Sequence, residues 1–313
     1  MNPGATPDDA AAELGPSEAP ALPVVLGTGR RDPLFSRQPL TGRHLTRHGV
    51  TAPTPFHCYD GDALVLLGTA DATATRRVVP PGHEPLLTSE GQAIVTLWLM
   101  QYHDTSLGPY DELVVSVLVD TQPRTVAWTG PYSLLAAMSR PDACGAIGKL
   151  LLDRQLPIDY GREILGLDKR LGRFAYGRVG AVRTFAVTDA RGNLVARGAV
   201  REERGLVARA LSLVGLARAS ALAATIRSTL AGGQQLLAVT TDVLAPARNK
   251  LTDVWMKGIG TVHVIDAADT IELGPDSELG AELGALGFTP LLAYAHPHVK
   301  MIFAGTRASD ERA

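Results

Sequence analysis

Short apolar runs, bounded by glycine, proline or polar clusters and mostly too brief for helices, recur along this 313-residue chain. Ala63-Leu64-Val65-Leu66-Leu67 is a continuous run of the kind a buried strand produces. Ala93–Met100 and Glu112–Val119 are rich in β-branched or aromatic residues and flank a loop from His103 to Tyr110, which predicts two neighbouring strands. Further strands are expected over Ala181–Thr188, Leu194–Val200, Leu236–Val243, Gly260–Ile265 and His298–Phe303. Helical spacing is clearest at Ser133–Met138, Cys144–Leu152 and Val207–Thr229. Strands outnumber helices and do not alternate with them regularly. The expected fold is therefore α+β, a mainly antiparallel sheet or barrel with peripheral helices, and no internal repeat is visible.

The ends of the chain read differently. Pro3, Pro7, Pro16, Pro20 and Pro23 are spaced too closely for a helix, so residues 1–45 are expected to form a flexible leader. Residues 46–305 then form one domain and 306–313 a short tail. The run from Leu206 to Leu230 is the most apolar long stretch, but Arg209, Arg218 and Arg227 interrupt it before a membrane-spanning length is reached. Their nine-residue spacing, about 900° of helical rotation, puts successive arginines on opposite sides, which predicts a surface helix over the core.

Composition narrows the function classes. Hydrophobic residues make up 45% of the chain, enough for a substantial core. Thirty basic against 32 acidic residues leave a formal charge of −2, so no overall field draws the chain to nucleic acid or to an anionic membrane. The two cysteines, Cys58 and Cys144, do not make a disulfide scaffold. The first residues lack the basic and apolar regions of a secretory signal. A cytoplasmic protein acting on a small substrate, with no nucleic-acid and no membrane partner, is the expectation.

Chemistry concentrates in two segments. One is Gly161-Arg162-Glu163-Ile164-Leu165-Gly166-Leu167-Asp168-Lys169-Arg170-Leu171-Gly172. The other is His103-Asp104-Thr105-Ser106-Leu107-Gly108-Pro109-Tyr110-Asp111-Glu112. Leu152-Asp153 and Pro157 lie between them, Arg76-Arg77-Val78-Val79-Pro80 comes before, and Thr252-Asp253-Val254 with Trp255 and Gly258 comes after. Taken in order over roughly residues 50 to 305, these pieces resemble the acetoacetate decarboxylase superfamily. The family carries an H-D-T-S loop leading to Y-x-E, then L-D and P before G-R-E, then a lysine followed by another cation, and last the carboxy-terminal strand that Thr252-Asp253-Val254 with Trp255 and Gly258 resembles.

The resemblance implies a family-type sheet or barrel, and it implies roles. Lys169 stands where the family has its Schiff-base lysine, Arg170 where it has the neighbouring cation, and Glu112 where it has a carboxylate of the site. Arg162 and Glu163, with Gly161, would shape the approach to the lysine, and Tyr110 and Trp98 would face the substrate. Trp98 stands where the family's second acidic residue would align, Asp168 where it usually has proline, and Phe56-His57-Cys58-Tyr59 where it has a substrate-facing arginine. The stretch Trp128–Leu151 looks like an insertion. The implied activity is decarboxylation of a β-keto acid through a lysine Schiff base, by a homo-oligomer with no cofactor and no metal. Aldolase-dehydratase chemistry on a 2-keto acid, or a non-catalytic scaffold binding a small molecule or a protein, are the alternatives.

An ordinary lysine is uncharged only about 0.04% of the time at neutral pH, and only the uncharged amine attacks a carbonyl. Acetoacetate decarboxylase is itself the standing example of a lysine activated by desolvation or by a cationic neighbour. On an extended strand Arg170 would point to the face opposite Lys169; a charge about 6 Å away would contribute about 2–3 kcal/mol at an effective dielectric near 20, and Asp168 would offset part of that. Burial among Leu165, Leu167 and Leu171 must then supply much of the effect, so Lys169 is expected to be enclosed. His296-Pro297-His298 has two imidazoles but no third metal ligand at supporting spacing. Gly27-Thr28-Gly29 lacks the rest of a phosphate loop. His103-Asp104 reads as a turn, and Cys58 and Cys144 as packing residues.

Overall fold

The computed structural model describes residues 28–120, 122–127, 130–138, 144–202, 239–245, 250–257 and 261–308. Two short 3-10 helices, Thr28–Arg31 and Pro33–Arg37, lead into the hairpin β1 (Gly42–Leu45) and β2 (Thr51–Thr54). Next come β3 (Phe56–Ala70), α1 (Ala72–Arg76), β4 (Glu84–Pro85), β5 (Leu87–Thr88), β6 (Ala93–Thr105), β7 (Tyr110–Asp120) and β8 (Thr125–Val126). After α2 (Tyr132–Met138) and β9 (Cys144–Leu152), α3 (Gln155–Tyr160) runs into one π-helical turn, Gly161–Leu165. The chain continues with β10 (Asp168–Val179), β11 (Val182–Asp189), β12 (Leu194–Arg201), β13 (Val239–Ala245) and β14 (Lys250–Lys257). It ends with β15 (Thr261–Val264), β16 (Thr270–Leu273), α4 (Glu278–Ala285), β17 (Thr289–His296) and β18 (Lys300–Ala308).

Apart from the β1–β2 hairpin, these strands form one 16-stranded sheet. Its pairing closes on itself, from β3 through β6, β7, β9, β13, β14 and β18 back to β3. β10, β11, β12 and β16 extend outward from β9 as a second wing. Strands dominate as the sequence indicates, but the sheet is mixed: β9 runs parallel to both β10 and β13, and β5 to β8.

Both faces of the central strands are covered. Val65, Leu67, Met100 and Tyr102 belong to one apolar cluster, inside the curl, while Leu64, Leu66, Leu97 and Leu99 join the other, under the wing and α4. Period-2 alternation sends neighbouring side chains to opposite clusters, which is why these strands read as unbroken apolar runs. The same arrangement explains one departure from the sequence expectation. Cys144–Leu152 has helical spacing at Ile147, Leu150 and Leu151, yet it is β9, paired with β7, β10 and β13. Gly145 and Gly148 lower its helix propensity, and burial on both faces fills the positions that would have signalled a strand. The expected insertion at Trp128–Leu151 thus ends in a central strand.

Strands β10, β16 and β17, and helix α4, have no counterpart among the expected elements, whereas β14 holds Thr252–Trp255, which the resemblance marked as a strand. The helix expected over Val207–Thr229 lies outside the described residues. Of the leader expected over residues 1–45, residues 1–27 also lie outside them. Within 28–45, Arg30 pairs with Asp104, and Phe35 packs on Tyr59 and Ile302. No helix among the described residues is long and apolar enough to cross a membrane.

Candidate active site

The β6–β7 hairpin sets the first wall of the site. Its register pairs Trp98 with Val114, Met100 with Glu112 and Tyr102 with Tyr110. Alternation along each strand then puts all six on the inner face of the curl. On the other side of β7, Val114 pairs with Leu150 of β9, and Leu150 pairs with Lys169 of β10. Two long side chains therefore meet across β9, although 57 residues separate them in sequence.

Local backbone geometry delivers Lys169 to that point. The π-helical turn ends at Gly166, whose φ of 69° lies in the left-handed region that glycine adopts at least cost. Leu167 then donates back to the Gly161 carbonyl at 3.0 Å, and the Arg162 Nε holds the Lys169 carbonyl at 2.6 Å. A Cβ at Gly161 would stand 2.2 Å from the lysine Cδ, so the lysine stem lies directly against bare backbone. Any larger residue there must displace it.

Lys169 is 5% exposed and Glu112 3%, and the lysine Nζ donates to Glu112 Oε1 at 2.7 Å. The other carboxylate oxygen, Oε2, accepts from the Tyr102 hydroxyl at 3.0 Å. Tyr102 in turn lies against Tyr110, with ring centroids 4.4 Å apart. Burial first, and the nearby Glu112 charge second, push both phenols well above their ordinary pKa, so they remain proton donors at neutral pH. The pair opens on a cavity of about 90 Å³ whose remaining wall is mostly apolar, with Phe56, Ile147, Leu165 and Met301 among its residues. One water needs roughly 10–15 Å³ by this kind of measure, so the space suits a molecule of a few non-hydrogen atoms. No arginine is among the described residues on its wall.

The other residues singled out in the sequence divide. Trp98 and Tyr110 line the cavity. Arg170 does not. It follows Lys169 on an extended strand, so its side chain leaves on the opposite face, where Asp168 takes its Nε at 3.1 Å and its Nη2 at 2.9 Å and Glu278 takes Nη1. These carboxylates, Asp168 first, raise the Arg170 pKa, and their negative charges cancel the field that the sequence reading assigned to it. Arg162 is used as a backbone clamp. Glu163 faces the β1–β2 hairpin, bonded to His44 at 2.6 Å and to the Arg47 amide at 3.1 Å. His296 contacts the Pro297 carbonyl while His298 pairs with Asp60, so the two imidazoles do not converge. A different trio, His263, Asp266 and Asp269, brings three ligand atoms within 4.8 Å of one another, but it forms no part of the cavity wall among the described residues.

Two tyrosines of the wall were missed. Tyr102 had a signal: it continues the even-numbered face of β6 from Trp98 and Met100, and the hairpin puts it opposite Tyr110. Tyr160 had none, because its place depends on how α3 packs.

Asp111, one residue before Glu112, takes the opposite side of its strand. Burial, and secondarily the Asp153 carboxylate, push its pKa from 3.8 up to about 6 against the pull of His103 and Arg154. A carboxyl with a raised folded pKa costs nothing below its unfolded value. The cost grows as pH rises through the folded value and is fully present above it. Asp111→Asn is accordingly expected to raise stability at pH 7 by about 1 kcal/mol, a figure discounted for partial solvent exposure, and to change little near pH 3. Chemical denaturation at the two pH values checks the sign.

Comparison with known proteins identifies the family and the fold. The family model described as acetoacetate decarboxylase matches residues 38–267. Among solved structures, the acetoacetate decarboxylase of Legionella pneumophila subsp. pneumophila str. Philadelphia 1 superposes with a TM-score of 0.54 at 15% identity, covering 83% of this chain and 89% of that one. A second acetoacetate decarboxylase structure gives a TM-score of 0.50 at 17% identity, covering 80% of this chain and 86% of that one. At these identities the likeness is one of fold. A search of curated proteins finds no match.

Proposed function

The chain belongs to the acetoacetate decarboxylase family, and from that premise we propose that Lys169 forms a Schiff base with a small β-keto acid and that the imine drives loss of carbon dioxide. The observation that carries this reading is the buried contact of Lys169 Nζ with Glu112 Oε1, 2.7 Å long, on the wall of an apolar cavity.

The chemistry follows from that contact. The amine passes its proton to Glu112, attacks the keto carbon and forms a carbinolamine. Protonation by Glu112 lets the hydroxyl leave as water, and a protonated imine remains. The bond between the α-carbon and the carboxylate then breaks, its electron pair moving toward the imine nitrogen, so that carbon dioxide departs and an enamine is left. Protonation of the enamine carbon and hydrolysis release the ketone and restore the amine. Apolar walls favour the step because a carboxylate held against them has lost its water, while carbon dioxide needs none.

Release of carbon dioxide and acetone from acetoacetate in equal amounts is the expected result with purified protein. Silence with β-keto acids of several chain lengths, together with condensation of pyruvate and an aldehyde, would instead assign aldolase-dehydratase chemistry to the same imine. A protein that turns over neither class would be a binding scaffold.

Arg170 provides a separate check. Its side chain is neutralised by Asp168 and Glu278 on the outer face, so Arg170→Met is expected to leave kcat within about threefold of the parent value. A fall of tenfold or more in steady-state assays would show that the cation acts on the lysine after all.

A further inference from the structure

Tyr160 closes α3 immediately before Gly161, the residue against which the lysine stem lies, and its side chain is part of the cavity wall. It is 2% exposed, and its hydroxyl has no hydrogen-bond partner of acceptable geometry among the described residues. Burial raises the pKa of this phenol and the Phe56 backbone opposes the rise, acting as an amide donor toward the oxygen. An amide donor leaves the hydroxyl proton without an acceptor.

The neighbouring phenols differ. Tyr102 gives its proton to Glu112, and Tyr110 is hydrogen-bonded to Tyr102. A buried hydroxyl that donates to nothing destabilises the folded chain, and phenylalanine would fill the same space without that cost. Its presence on this wall points to a partner that arrives with the ligand. A β-keto acid supplies one, because Lys169 takes the keto carbon and the carboxylate then needs a donor where no arginine stands among the described wall residues.

Resting on the Schiff-base reading, we infer that the Tyr160 hydroxyl is the carboxylate subsite of this cavity, donating to the substrate oxygen that Lys169 does not attack. The subsite selects small carbonyl compounds with a second oxygen function over simple ketones.

Tyr160→Phe tests it with three measurements. Its melting temperature should equal or exceed that of the parent, since the lost hydroxyl bonds to no acceptor among the described residues. KM for acetoacetate should rise about tenfold, the effect of one hydrogen bond to a charged group. Borohydride trapping of acetone on Lys169 should be unchanged, since acetone has no second oxygen. A KM within twofold of the parent value overturns the inference, as does a matching loss of acetone trapping and of stability, which would make Tyr160 a structural wall. If the parent protein traps no carbonyl compound, the Schiff-base reading fails by itself, and calorimetric binding of acetoacetate still decides the subsite: weaker binding by the variant supports it, and equal binding or none ends it.

Discussion

Lys169→Met protein should release carbon dioxide from acetoacetate at least about 10⁴-fold more slowly than the parent, with no covalent adduct under reducing conditions. No other lysine is among the described residues on the cavity wall, so nothing else there can form the imine. The substitution keeps most of the side-chain volume against Gly161, so the cavity is not enlarged by the change. It does leave the Glu112 carboxylate without its cation, and breaking such a buried pair costs about 3–5 kcal/mol when the remaining charge cannot be relieved. Tyr102 still donates to Glu112 and reduces that cost. Circular dichroism and a thermal melt would establish that the variant is folded, and the double variant Lys169→Met/Glu112→Gln, which buries no charge in the pair, serves as the folded reference. Activity within tenfold of the parent in Lys169→Met would remove the lysine from the mechanism.

Glu112→Gln should have the second largest effect. Glutamine can keep a hydrogen bond with Tyr102 and fits the same space, but it cannot receive the lysine proton or return it to the departing hydroxyl. Positioned acid–base groups contribute about 10²–10⁴ to a rate, so kcat should fall in that range. KM should change much less, because the carboxylate lies against the lysine and is not assigned to the substrate. Adduct formation should persist on a slower time course. A variant with unchanged kcat and raised KM would instead mark Glu112 as a substrate-binding group.

Much of this arrangement can be read from the residue pattern. The runs at Ala63–Leu67, Ala93–Met100 and Glu112–Val119 lie in β3, β6 and β7, three strands of the circuit around the cavity. Of the three leucines expected to enclose Lys169, Leu165 and Leu167 are on the wall, whereas Leu171 is exposed. Long-range pairing is what the pattern lacks. β9 looked helical because two-sided burial erases the period-2 signal. β10 is not among the expected strands because its outer half alternates partly exposed and exposed positions from Arg173 to Gly177 and is exposed on to Val179, on a wing that one sequence does not reveal.

Arg170 shows the same limit at the level of one side chain. An extended backbone was expected to send Arg170 to the face opposite Lys169, and it does; what adjacency could not show is the second carboxylate that holds it there. Its partner Glu278 comes from α4, 108 residues away. Tyr160 is the converse case, a residue without local signal that packing of α3 brings to the cavity.

The proposed chemistry depends on one amine reacting inside that cavity. Incubation of the parent protein with acetoacetate and sodium borohydride, followed by peptide mass spectrometry, measures this directly. The account requires an isopropyl group, the reduced acetone imine, on Lys169 alone. An unmodified Lys169 peptide, or label spread over other lysines such as the partly exposed Lys300 in proportion to their accessibility, would contradict it.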